Sequence, residues 1–275
     1  MKLKEMQSCA SETLDYFITV MPNVPFCANE ITIEFVPKSR YVERFKALCL
    51  QCSPDRSINK SEIAQMERSI FANAIIGRTI SAAIIKLDYS IEENDMRRIV
   101  FHELMHIYCG KTEMDTDHFI DVYGSLHTPD RDPVDKMYDG FLNAGYFVWS
   151  EFIAEYYAIT KTAEGSHYFV DIKDIVYELL TEIDIINGDS KVAYAMMSAY
   201  VLSCDDAATV VTKMRDIIQD DVQYDENTVN ALHDCLNLLY DHIQSENPCK
   251  ISEDFISRLG EQYLMILTFK CMANG

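Results

Sequence analysis

Residues 78–110 read RTISAAIIKLDYSIEENDMRRIVFHELMHIYCG, and the change of pattern inside this stretch decides how the chain is built. Arg78 to Tyr89 is rich in β-branched and apolar residues and reads as a strand. From Ser90 the pattern becomes helical. Ser90-Ile91-Glu92-Glu93 reads as an N-cap followed by a capping-box Glu, and Ile99, Val100, Leu104, Met105 and Ile107 supply apolar positions along the next turns. With Gly110 as the expected stop, the spacing predicts a helix from Ile91 to Tyr108.

The second half of that helix carries His102-Glu103-Leu104-Met105-His106. Four residues advance a helix by slightly more than one turn, so His102 and His106 project from one face and their imidazoles can share a metal ion. Glu103 then sits beside the ion. A carboxylate there can take a proton from a water that the metal has acidified and later pass it to a leaving amine. Two histidines on an apolar helix often do no more than fill core space. The Glu between them and the capped helix around them favour the metal site.

A catalytic zinc needs a third protein ligand and an open position. The long form of the motif would require Gly and His where this chain has Cys109 and Thr112, so that form is excluded. Asp115, Asp117 and His118 follow Gly110 in a polar stretch without regular period and read as loop. The better candidate lies in Trp149 to Ala158, a second helical run in which Glu151 and Glu155 are four apart on one face. Two acids on an otherwise apolar helix are costly to bury unless something positive meets them, and a zinc with its imidazoles would do so. The competing reading is a solvated acidic stripe.

With both motifs in view, the segment from Thr79 to Ala158 resembles the gluzincins, the thermolysin-like zinc metallopeptidases. In that family the active-site helix carries His-Glu-x-x-His, and a second helix gives a Glu ligand followed four residues later by an acidic residue. The resemblance implies zinc held by His102, His106 and Glu151, with Glu103 as general base. It implies for Glu155 a supporting contact that orients a ligating imidazole through its other ring nitrogen. The family often has Asp at that position, and the gap between the motifs is longer here than in thermolysin. Small gluzincins place an edge strand just before the active-site helix, so the strand at Arg78 to Tyr89 is expected at an edge, open to an extended peptide.

The insert from Lys111 to Phe147 is the natural place for substrate selection, with Tyr123, His127, Tyr138, Tyr146 and the run Asp130-Arg131-Asp132-Pro133-Val134-Asp135. An oxyanion formed during peptide hydrolysis needs a donor aimed at the developing charge, for which His118, His127, Tyr146 and Tyr157 stand as open alternatives.

Composition bounds the rest. The chain has 275 residues and 48% hydrophobic content, enough for a substantial core in one large domain or a catalytic domain with a helical extension. The fold class expected is α+β and predominantly helical, with a small mixed sheet packed on the motif helix and a helical carboxy-terminal part. The division expected is 1–165, zincin-like and catalytic, and 166–275, helical. Helices are expected at Ser8 to Val20, Ser61 to Ala74, Ile172 to Ile186, Ser190 to Ser203, Asp205 to Gln219, Glu226 to Ser245 and Ser252 to Met272, with a strand at Ile31 to Val36.

Nine scattered cysteines look like reduced thiols; Cys49-Leu50-Gln51-Cys52 has no second pair with which to form a zinc ribbon. No apolar run reaches the length of a membrane span, and the first residues lack a signal-peptide core, so a cytoplasmic location and no membrane partner are expected. A net charge of −20 repels phosphate backbones, which disfavours nucleic acid and leaves a peptide or protein substrate, with oligomeric state unspecified. The expected activity is zinc-dependent (Zn2+) peptide hydrolysis. Its alternatives are a zinc-dependent hydrolase of another amide, and a catalytically silent helical interaction or regulatory protein that retains the motif.

Overall fold

The computed structural model describes residues 1–54, 58, 63, 72–112, 133–162, 190–204, 207–218 and 226–273. The chain is α+β and predominantly helical, with a three-stranded mixed sheet. It forms two compact units, Met1–Glu113 with Tyr157–Ser166, and Met114–Tyr156 with His167–Gly275. No helix among the described residues is long and apolar enough to cross a membrane.

In the first unit, helix α1 (Leu3–Val20) buries Met6, Cys9, Ala10, Thr13, Leu14 and Phe17. Their spacing of three and four defines one apolar face. Glu5 accepts the Lys2 backbone N–H at 2.6 Å, satisfying one donor at the helix start. Strand β1 (Ile31–Val36) follows, then helix α2 (Tyr41–Cys52), strand β2 (Ala72–Ile75) and strand β3 (Ser81–Lys86). The strand order is β1-β3-β2, with β1 parallel and β2 antiparallel to β3. Helix α2 covers one face through Tyr41, Phe45, Leu48 and Cys52, packed on Val36, Ile75, Ala82 and Ile84.

Two expectations need correction here. The strand before the motif helix is central, because Ser81 to Ile85 are all buried and neighbours pair on both sides. An uninterrupted apolar run without alternation is what burial of both sheet faces requires. Among the described residues the edges are therefore β1 and β2. The helix expected over Ser61 to Ala74 ends too late: Ile63 is helical, but Ala72 to Ala74 belong to β2, paired with β3. Residues 59–62 and 64–71 lie outside the described residues.

Helix α3 (Glu93–Lys111) carries the motif and packs on β2, β3 and α1. Phe17 of α1 meets Phe101 at 4.8 Å and Tyr108 at 6.0 Å between ring centroids, and the Tyr108 hydroxyl donates to the Pro22 carbonyl at 2.8 Å. Arg97 bridges Glu93 on its own helix and Glu12 on α1. Ser90 does not cap this helix. Its backbone N–H and hydroxyl both bond Asp88, and Glu92 takes the N-cap position. Nor does Gly110 stop it, since the helix runs to Lys111. A Cβ at Gly110 would lie 2.3 Å from Ile76 Cδ1, so this glycine lets the helix approach the residue after β2.

Helix α4 (Pro133–Thr162) runs through residues of both units, and its first part opens the second. Pro133 occupies its first position, where a missing N–H costs nothing. Among the described residues the remaining α-helices are α5 (Ser190–Cys204), α6 (Ala207–Ile218), α7 (Glu226–Ile243) and α8 (Glu253–Ala273), close to the expected spans. The helix expected over Ile172 to Ile186 lies outside the described residues. Helices α4 and α8 touch backbone to backbone. A Cβ on Gly260 would lie 1.8 Å from the Phe141 carbonyl oxygen, and one on Gly145 would lie 1.9 Å from that of Ile256. His242 of α7 stacks on Phe255 at 3.9 Å, and its ring Nε2–H donates to the Pro248 carbonyl at 2.9 Å.

These contacts give two predictions. Gly260→Ala forces a Cβ against backbone and lowers unfolding free energy by about 1–3 kcal/mol. Gly140→Ala, where a Cβ meets nothing within 4 Å, raises it by about 0.5–1 kcal/mol. Urea denaturation of both variants measures the contrast. Burial holds the His242 pKa below its ordinary 6.5. The unfolded chain then binds this proton more readily, so the contribution is complete above 6.5 and is lost as pH falls through the depressed folded pKa. Thermal midpoints should fall less between pH 7 and pH 5 in His242→Gln than in wild type.

Candidate metal centre

Helix α3 delivers the two histidines. Residues 102 and 106 stand about 40° apart around an ideal helix, on the stripe beside the one that Phe101 and Tyr108 press against α1. Their Nε2 atoms converge to 3.0 Å, with ring centroids 4.7 Å apart and planes at 74°. As a metal-free pair, one ring's Nε2–H donates to the other's lone pair. With an ion, both lone pairs turn to it. Two nitrogens at about 2.0–2.1 Å from a tetrahedral zinc stand about 3.3 Å apart, close to the separation found. His102 and Glu103 are buried, whereas His106 is half-buried.

Helix α4 carries the two acids on one face, Glu151 half-buried and Glu155 buried. One ligand atom from each of His102, His106 and Glu151 lies within 4.8 Å of the other two. Among the described residues no second group of three such side chains converges. Two imidazole nitrogens and one carboxylate oxygen match the three-ligand set of a catalytic zinc, though imidazole suits copper, iron and nickel as well. The observation thus fits a metal-binding group whose ion is not specified by geometry alone. All of these groups, with Glu103 and Glu155, make interactions within the structure.

The remaining candidates separate into two sets. Asp115, Asp117, His118, Tyr123 and His127 lie outside the described residues. Tyr146 and Tyr157 are on α4, but stand about 140° and about 120° around an ideal helix from Glu151, away from its stripe. Tyr138 donates to Glu253 at 2.8 Å, which gives it a packing role at the start of α8. Cys109 is buried on α3. Cys49 and Cys52 are buried at the end of α2, and burial pushes the Cys52 thiol above its ordinary pKa, which keeps it protonated.

The sequence did not show that α4 begins as early as Pro133. Asp132-Pro133 followed by apolar residues at three- and four-residue spacing was the available signal, since Pro is favoured at the first helical position. The acidic run around it reads as loop when taken alone.

No family model, no curated protein and no solved structure matches the chain.

A ligand that binds only the folded chain raises its melting point. Added zinc should raise the midpoint of the metal-stripped protein, and His102→Ala should remove that rise. Differential scanning fluorimetry with and without zinc checks it, and an equal rise in both proteins would place the ion elsewhere.

Proposed function

We propose that the chain is a zinc-dependent metallopeptidase of gluzincin type, a hydrolase of peptide bonds. The observation that carries this reading is the convergence of the His102 and His106 Nε2 atoms, 3.0 Å apart, together with a Glu151 ligand atom within 4.8 Å. His102, His106 and Glu151 would hold the ion, and Glu155 would orient an imidazole as a positioning residue. When bound, the zinc supplies Lewis-acid chemistry, acidifying a water and polarising the substrate carbonyl.

The protein's own part falls to Glu103. It neighbours His102 on α3 and is 6% exposed, so its carboxylate works in a poorly solvated setting. There it takes the proton of the attacking water and returns it to the leaving amine, which keeps the proton count balanced across the reaction. His106 and Glu151 are each half-buried, which leaves part of each side chain accessible. A net charge of −20 favours encounter with basic peptides or proteins.

The test separates binding from chemistry. Elemental mass spectrometry should find about one zinc per wild-type chain, with loss in His106→Ala and Glu151→Ala. Glu103→Gln should retain the zinc and lose about 10²–10⁴-fold in turnover of a mixed peptide pool. Full zinc occupancy with no cleavage by wild type, over a wide range of peptides and folded proteins, would point instead to the silent interaction protein.

A further inference from the structure

The edge strand β1 lies on the other side of β3 from β2 and has no part in the metal centre. Its hydrogen-bonding directions can be worked out residue by residue. The Val36 carbonyl accepts the Leu87 N–H at 2.9 Å, so Val36 directs its backbone groups to the β3 side. Strand alternation gives Glu34 and Thr32 the same direction and turns Ile33 and Phe35 outward. Among the described residues nothing bonds the Ile33 or Phe35 backbone groups. The side chains of these two residues share a face with Ile31. They line a groove of about 260 Å³, with Ala10 and Leu14 of α1 completing its apolar floor.

Natural edge strands are blunted by lysines, prolines, bulges or inward charges. Strand β1, ITIEFV, has none of these on the groove face, and its one charge, Glu34, is paired with Arg44 of α2. Gln7, Ser11 and Asp15 rim the groove, and Asp15 is the charged residue among those lining it.

We propose that this edge is a docking site for an extended peptide segment of a partner protein, added as a further strand on β1. The segment carries apolar side chains at alternate positions to fill the groove over Ile33 and Phe35, and basic residues that meet Asp15. Main-chain bonds to the two outward-facing residues supply affinity, and the groove supplies side-chain selection. Charge favours a basic partner over a second copy, because two chains of −20 repel. This docking is independent of the peptidase reading and needs neither metal nor cleavage.

The probe is a fluorescent, end-blocked peptide of about eight residues, Lys-Thr-Val-Thr-Val-Thr-Lys-Thr, whose valines and lysines share one face of the strand, titrated into the full chain and read by anisotropy. Ile33→Pro removes an outward N–H without touching the β3 ladder, and should weaken binding at least about tenfold. Asp15→Lys, at an exposed position, should weaken it several-fold. Binding should also slow hydrogen exchange at the Ile33 and Phe35 amides of wild type, a readout that stands even if Ile33→Pro folds poorly. No binding of the lysine peptide, binding unchanged by both variants, or no added protection of those amides would overturn the proposal. Equal binding of a glutamate-for-lysine analogue would overturn the charge assignment. Self-association of wild type that Ile33→Pro abolishes would assign the edge to a second copy instead.

Discussion

Two imidazoles separated by four residues aim at one point only while the segment between them stays helical and fixed, and the first unit is organised around that constraint. Helix α3 is held on one side by Phe17, through Phe101 and Tyr108, and on another by the sheet. Gly110 lets its last turns close on Ile76. These contacts immobilise the helix by packing rather than by its caps, since Glu92 makes no side-chain cap bond. Packing of this density resists sub-ångström shifts, which is the tolerance a metal site sets.

The acids make the same point from the electrostatic side. Glu103 and Glu155 are both buried, and a buried carboxylate is costly unless hydrogen-bonded or met by positive charge. Neither stands alone, as both make interactions within the structure. A divalent cation held by His102, His106 and Glu151 would add positive charge to that setting.

The parts of the fold that were legible in the sequence were those with strong local periodicity. The carboxy-terminal helices α5 to α8, β1 and the motif helix all fall within a few residues of expectation. Errors arose where a residue had two uses. Ser90 caps helices in isolation, but here Asp88 captures it; Gly110 ends helices in isolation, but here it admits Ile76. The position of β3 in the sheet is a tertiary fact, although its unalternating run Ser81 to Ile85 carried a signal for burial on both faces. At the centre, the pairing of His102 with His106 follows from helix geometry. For Glu151, about forty-five residues further on, the local signal was a pair of acids, Glu151 and Glu155, four apart on an otherwise apolar helix, and the resemblance to a known family added the ligand role.

The central claim is that one ion sits between these three side chains, and X-ray absorption at the zinc edge of the zinc-loaded protein tests it most directly. The account predicts a first shell of nitrogen and oxygen at about 2.0–2.1 Å with the outer-shell scattering of two imidazoles, reduced to one in His106→Ala. A sulfur shell at about 2.3 Å, or a spectrum without imidazole scattering, would contradict it and move the metal to the cysteines or to the surface.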